Sequence, residues 1–234
     1  MAFLQSGPTR EPIFRAPAVV VGLIALLAAV HAVRSFLLDP AVDADLLFTY
    51  AFIPGRYGFP GSLWDLGIPF VSYMALHGDW AHLVINSLWL LAFGPIVTRR
   101  FGTPLFLLFF LVCGVAAALM HLVLNWGGMN PVIGASGAVS GLMAAGLRLM
   151  PGLFAWATPG EVPMAPIFSR QILTFSAAWM VLNLVVGLVG AGLLGGEGAI
   201  AWQAHLGGYL AGLLLAGPFD YLRPRPLAPP LSEG

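Results

Sequence analysis

Long apolar runs separated by short polar clusters set the pattern of this chain. Six of them approach the roughly 20 residues that a helix needs to cross about 30 Å of hydrocarbon: residues 16–38, 80–98, 103–125, 136–150, 172–194 and 199–217. The pattern predicts an all-α membrane protein whose six helices form one domain over residues 16–219. A tail of residues 1–15 precedes it, and a proline-rich tail of residues 220–234 follows and reads as disordered. The first run is too long, and too poor in a small-residue cleavage site, to be a removed signal peptide.

Composition strengthens this reading. Hydrophobic residues make up 59% of the chain and charged residues 9%, against roughly 25% charged in soluble domains. The net charge of zero conceals a polarity along the chain. There is no lysine; Arg10, Arg15, Arg99, Arg100, Arg148, Arg170, Arg223 and Arg225 fall on one side of a six-span topology, with Arg34 and Arg56 opposite. Arginine on the cytoplasmic side places both termini in the cytoplasm. Asp39, Asp43, Asp45, Asp65, Asp79 and Glu197 lie on the far side. Nothing in this distribution suggests nucleic-acid binding. Cys113 is the single cysteine, so there is no disulfide framework and a small buried hydrophobe is its expected role.

The fourth run is too short. Residues 136–150 end at Pro151-Gly152, and 15 residues rise only about 22 Å. The stretch before it, Asn125-Trp-Gly-Gly-Met-Asn-Pro, is dense in helix breakers. Irregular backbone at membrane depth is tolerated only where protein covers it or water lines it, so Ser136 is expected at the floor of a wet cavity. The same ruler puts His82 about 24 Å above the cytoplasmic end, Ser136 about 21 Å, and Asn86 and His205 about 18 Å. His31 comes out near 22 Å, so depth alone does not exclude it.

His82 and Asn86 are four apart and share a helix face. They read either as donors to an oxyanion or as interhelical glue. Ser136 alone reads as an N-cap. With polar partners on two other runs it reads as a nucleophile in a first turn whose free N–H groups and dipole favour negative charge. Ser140 reads as a packing residue. Ala204, Gly208 and Gly212 form a small-residue stripe, matched by Gly137 and Gly141. Such stripes allow close approach, which would bring the His205 imidazole to the Ser136 hydroxyl as a general base. No carboxylate stands at that depth as a third member. His77 and His82 lack the spacing of a shared metal face, so no metal is expected. His77 is read as making structural hydrogen bonds at the cavity mouth, and His31 and His121 as satisfied polar residues.

These residues resemble the bacterial rhomboid intramembrane serine proteases from about Phe52-Ile53-Pro54 to Gly217. The motifs are His77-Gly78-Asp79-Trp80-Ala81-His82 leading to Asn86, then Gly134-Ala135-Ser136-Gly137, then Ala204-His205-Leu206-Gly207-Gly208. The resemblance implies a compact six-helix bundle in which Ser136 is the nucleophile and His205 the base. His82, Asn86 and the Ser136 backbone would form the oxyanion hole, supported by Gly134, Gly137 and Gly208. It implies no cofactor, and a first loop, about residues 39–75, half-submerged in the outer leaflet. Its partners would be the lipid bilayer and single-span proteins with a locally unstable helix, cut next to small residues. Two positions differ from many members: Trp64-Asp65 stands where Trp-Arg is common, and Ser140 stands where some place an aromatic. Tyr209 or Trp202 is the candidate to orient His205.

The expected function is therefore hydrolysis of membrane-protein peptide bonds by a Ser136–His205 dyad. The alternative is a catalytically inactive relative that binds or escorts membrane helices; the intact dyad argues against it. A channel is disfavoured because the polar residues stop at one layer. Arginine-only, alanine- and glycine-rich usage points to a bacterium and thus to the inner (plasma) membrane.

Overall fold

The computed structural model describes residues 16–150, 163–193 and 201–223. The tail 1–15 with Arg10 and Arg15, the Pro151-Gly152 break, the 194–199 loop with Glu197, and the tail from 224 with Arg225 lie outside them. Nine helices occupy the described residues: α1 (Ala18–Leu37), α2 (Pro40–Tyr50), α3 (Leu63–Gly67), α4 (Pro69–Ser72), α5 (Trp80–Phe101), α6 (Thr103–Leu124), α7 (Ser136–Leu149), α8 (Arg170–Leu193) and α9 (Trp202–Leu222). Short 3₁₀ turns cover Pro54–Gly58 and Tyr73–Ala75. Among the described residues the β structure is limited to an isolated bridge between Phe52 and Val132.

Among the described residues four helices are long and apolar enough to cross a membrane: α1, α5, α6 and the Arg170–Val189 part of α8. The chain is thus a multi-pass membrane protein. The other two expected spans are different in kind. With only 14 residues, α7 has all but Ser136 and Leu147 buried. Glycine, Pro218 and Asp220 dilute the 21-residue α9, which still continues past the expected stop at Gly217 to Leu222. Pro218 does not end it, and two residues on, Arg100 of α5 grips Asp220 through Nε at 2.5 Å and Nη2 at 2.9 Å.

The centre of the bundle is α7, packed by α5, α6 and α9. Lipid removes most of the hydrophobic drive for helix association, so contact between small residues carries much of the weight. A Cβ at Gly208 would lie 1.9 Å from the Gly137 carbonyl oxygen, and one at Gly212 would lie 2.1 Å from that of Gly141. Only glycine fits at these crossings. At the far end of the bundle, Phe109 and Phe219 meet edge to face at 4.9 Å, and Phe101 meets Phe109 at 5.4 Å. The Arg148 guanidinium fixes the C-terminus of α7, donating to the Leu213 carbonyl at 2.6 Å and the Ala165 carbonyl at 3.1 Å.

Between α1 and α5 the chain folds into short helices pinned by polar contacts. Arg34 donates to Asp43 at 2.7 Å and to the His77 carbonyl at 2.8 Å. Asp65 closes a capping box with Ser62, whose hydroxyl accepts from the Asp65 amide at 3.1 Å. An acidic residue therefore has a local role where Trp-Arg was the reference. Phe48, Phe59, Leu63 and Trp64 stand exposed in this region.

Candidate active site

Ser136 is the first residue of α7 and is half-buried. The chain reaches it along an anchored path. Phe52 and Val132 exchange backbone hydrogen bonds at 3.0 and 2.8 Å, and the Gly134 amide donates to the Tyr73 carbonyl at 2.9 Å. Gly134 has φ +113°, in the region that favours glycine. A Cβ there would also meet His82 Nε2 at 2.8 Å. Glycine is thus required twice over, by backbone angle and by the imidazole lying against it. The helical ladder begins with the Val139 amide donating to the Ala135 carbonyl at 2.9 Å. The amides of Ser136, Gly137 and Ala138 therefore stand outside the ladder.

The Ser136 hydroxyl and His205 Nε2 are 2.7 Å apart. The contact joins α7 to α9 across 69 residues of chain, and the glycine crossings above explain how the two backbones come close enough. On its other edge His205 Nδ1 lies 2.8 Å from Asn183 Oδ1 of α8, and Asn183 Nδ2 donates to the Trp202 carbonyl at 3.1 Å. Ser140 donates to the Ser136 carbonyl at 2.8 Å, a back-bond within the helix.

His82 is set by the start of α5, where Asp79 Oδ1 caps the helix by accepting from the His82 amide at 2.8 Å. Asn86, one turn on, is buried and donates to the His82 carbonyl at 3.0 Å. An amide NH₂ has two hydrogens, so one remains for another acceptor. No direct hydrogen bond joins His82 or Asn86 to Ser136 among the described residues. His82 touches the serine's own loop through Gly134.

Two histidine readings change. The His77 ring nitrogens make no well-formed hydrogen bond; the ring packs edge-on to His82 with centroids 5.1 Å apart, and its backbone carbonyl takes the Arg34 contact. Desolvation pushes the His77 imidazole down to about 4, and His82 is the next contribution in that direction. His31 is not hydrogen-bonded either and packs its ring against Trp80 at 4.7 Å. His121 does find a partner, Asn125 Nδ2 at 3.3 Å. Both residues suggested for orienting His205 have other direct contacts. Tyr209 stacks on Trp179 at 4.4 Å and bonds Ser176 at 2.7 Å; Trp202 contributes its carbonyl, to Asn183. Asn183 was missed, although a polar amide inside an apolar span is costly to bury and calls for a partner. Among the described residues no three His, Cys, Asp or Glu side chains group as a metal site.

Comparison with known proteins agrees with the motif pattern. A family model described as "Rhomboid domain" matches residues 60–219. RHOMBOID-like protein 5 of Arabidopsis thaliana is 27% identical over 175 residues, 72% of this chain and 50% of that protein. Rhomboid protease GluP of Bacillus subtilis (strain 168) is 28% identical over 156 residues, 67% of this chain and 26% of that protein. RHOMBOID-like protein 4 of Arabidopsis thaliana is 32% identical over 151 residues, 64% of this chain and 34% of that protein. The chain therefore spans half or less of the length of these relatives.

Proposed function

The chain belongs to the rhomboid family, and from that premise we propose that it is an intramembrane serine endopeptidase acting on single-span membrane proteins. The 2.7 Å contact between Ser136 Oγ and His205 Nε2 is the observation that carries this reading. In the proposed reaction Ser136 attacks the scissile carbonyl carbon while His205 Nε2 takes the hydroxyl proton. The resulting oxyanion meets the free amides at the start of α7, where the helix dipole favours negative charge. The His82 ring and the spare Asn86 hydrogen complete the donor set, which acts most strongly in a site with little water. The imidazolium then protonates the leaving amine as the C–N bond breaks. A water molecule, deprotonated by the same imidazole, hydrolyses the acyl-serine and frees the enzyme.

The six-span arrangement with cytoplasmic termini belongs to the same proposal. The arginine distribution supports it, as does the central position of α7 among α5, α6 and α9. The exposed aromatics of the first loop support its immersion in the outer leaflet, with water reaching Ser136 from that side. Composition supports a bacterial plasma membrane. Two of the three relatives named above are plant proteins, so this assignment rests on composition alone. The relative from Bacillus subtilis bears the name of a protease, which favours hydrolysis over the escort reading.

Cleavage of a fluorogenic single-span substrate in liposomes tests the proposal. Wild-type protein is expected to cut it, and Ser136→Ala and His205→Ala to lose cleavage while still binding the substrate helix. Binding without cleavage by the wild type would favour the escort reading.

A further inference from the structure

Asn183 is buried on α8 and both ends of its amide are committed. Its NH₂ donates to the Trp202 carbonyl, which turns the amide oxygen toward His205 Nδ1. The reversed amide would set two carbonyl oxygens against each other, so the contacts define the orientation. An oxygen facing Nδ1 requires the proton on Nδ1, and Nε2 is then left with the lone pair that must accept from Ser136.

Among the described residues α8 reaches α9 along one stripe. Ser176 and Trp179 meet Tyr209, Asn183 meets Trp202 and His205, and a Cβ at Gly187 would lie 2.8 Å from the Trp202 ring. The opposite face, with Val181, Leu182, Val185 and Leu188, is exposed. A residue that orients the base thus stands on the least buried of the four membrane-crossing helices.

Taking the Ser136–His205 reading as its basis, we propose that Asn183 is a positioning residue that fixes the tautomer and ring of His205, and that the base is armed only while α8 is seated on α9. Asn183 carries no charge, so it orients His205 without the electrostatic stabilisation that a carboxylate gives an imidazolium in a Ser-His-Asp triad. Its removal is therefore expected to cost less than the roughly 10⁴-fold seen for a disabled triad carboxylate.

The test combines ¹⁵N NMR of histidine-labelled full-length protein in detergent micelles with kinetics on the liposome substrate. His205 is assigned by its loss in His205→Ala. Wild-type His205 is expected to show a protonated Nδ1 and a bare Nε2. Asn183→Leu, close in volume, should shift the ring toward the other tautomer and lower kcat by about 10–100-fold with KM within about twofold. Asn183→Asp keeps an acceptor on Nδ1 and should recover the Nδ1–H form. Gly187→Leu leaves Asn183 intact but pushes α8 off Trp202, and should reproduce the tautomer shift. An unchanged tautomer in Asn183→Leu, whatever its kcat, would make Asn183 a packing residue and overturn the proposal. An unchanged tautomer in Gly187→Leu would overturn the link to α8. If no variant and no wild type cleaves anything, the protease reading fails, while the NMR still reports on the Asn183 contact by itself.

Discussion

Helices α7 and α8 sit against the same partner, α9, in opposite ways. α7 is short, nearly all buried, and locked to α9 by backbone crossings that admit no side chain at Gly208 or Gly212. α8 is a long apolar helix that touches α9 by side chains along a single stripe and leaves its other face to lipid. The proposed nucleophile rides on the first, and the partner of the proposed base rides on the second. Tight backbone packing is therefore concentrated where bond formation needs fixed geometry, while the more exposed helix supplies an orienting contact.

The strongest way to break this contrast is at the crossing of α7 and α9. Gly208→Val places carbon atoms on the Gly137 backbone, which has no side chain to move aside, and is expected to abolish monodisperse folded protein in size-exclusion chromatography. Gly22→Val is the control, since nothing lies within 4 Å of a Cβ there; it should stay within about 0.5 kcal/mol of wild type. Asn86→Ala should leave the fold standing yet lower kcat by about 10²–10³-fold, the usual loss for one oxyanion donor, measured on the liposome substrate.

A graded effect is expected from pH. The folded His77 pKa of about 4 lies below the ordinary 6.5, so the folded protein binds fewer protons than the unfolded chain between those values. Stability should hold above about pH 6.5 and fall as the pH drops toward 4. His77→Phe should flatten that slope in thermal unfolding across the same range. The smallest effect sharpens the contrast from the α8 side. Ser176→Ala removes the hydrogen bond to Tyr209 and should cost about 0.6 kcal/mol, as interhelical polar contacts in membranes do on average.

Much of this arrangement was legible in the residues. Ser136 before a glycine-rich short run, and His205 beside Gly208, carried both the helix and its neighbour, because close approach demands glycine and glycine is visible in a sequence. Span edges were less so. α9 runs on through Pro218 to an Asp220 that meets Arg100, and that pairing spans 120 residues of chain. Asn183 escaped notice because a neutral amide carries no charge to draw attention, and its role depends on how α8 leans on α9. His77 was misassigned for a related reason: its carbonyl, not its ring, meets Arg34, and sequence does not say which end of a residue is used.

The central claim is that Ser136 is a nucleophile activated by His205. Mass spectrometry of the detergent-purified protein after reaction with a fluorophosphonate tests it most directly. The expected result is a single adduct on Ser136, absent in Ser136→Ala and lost in a folded His205→Ala variant. An adduct on another residue, or an unreactive wild type that still cleaves its membrane substrate, would contradict it.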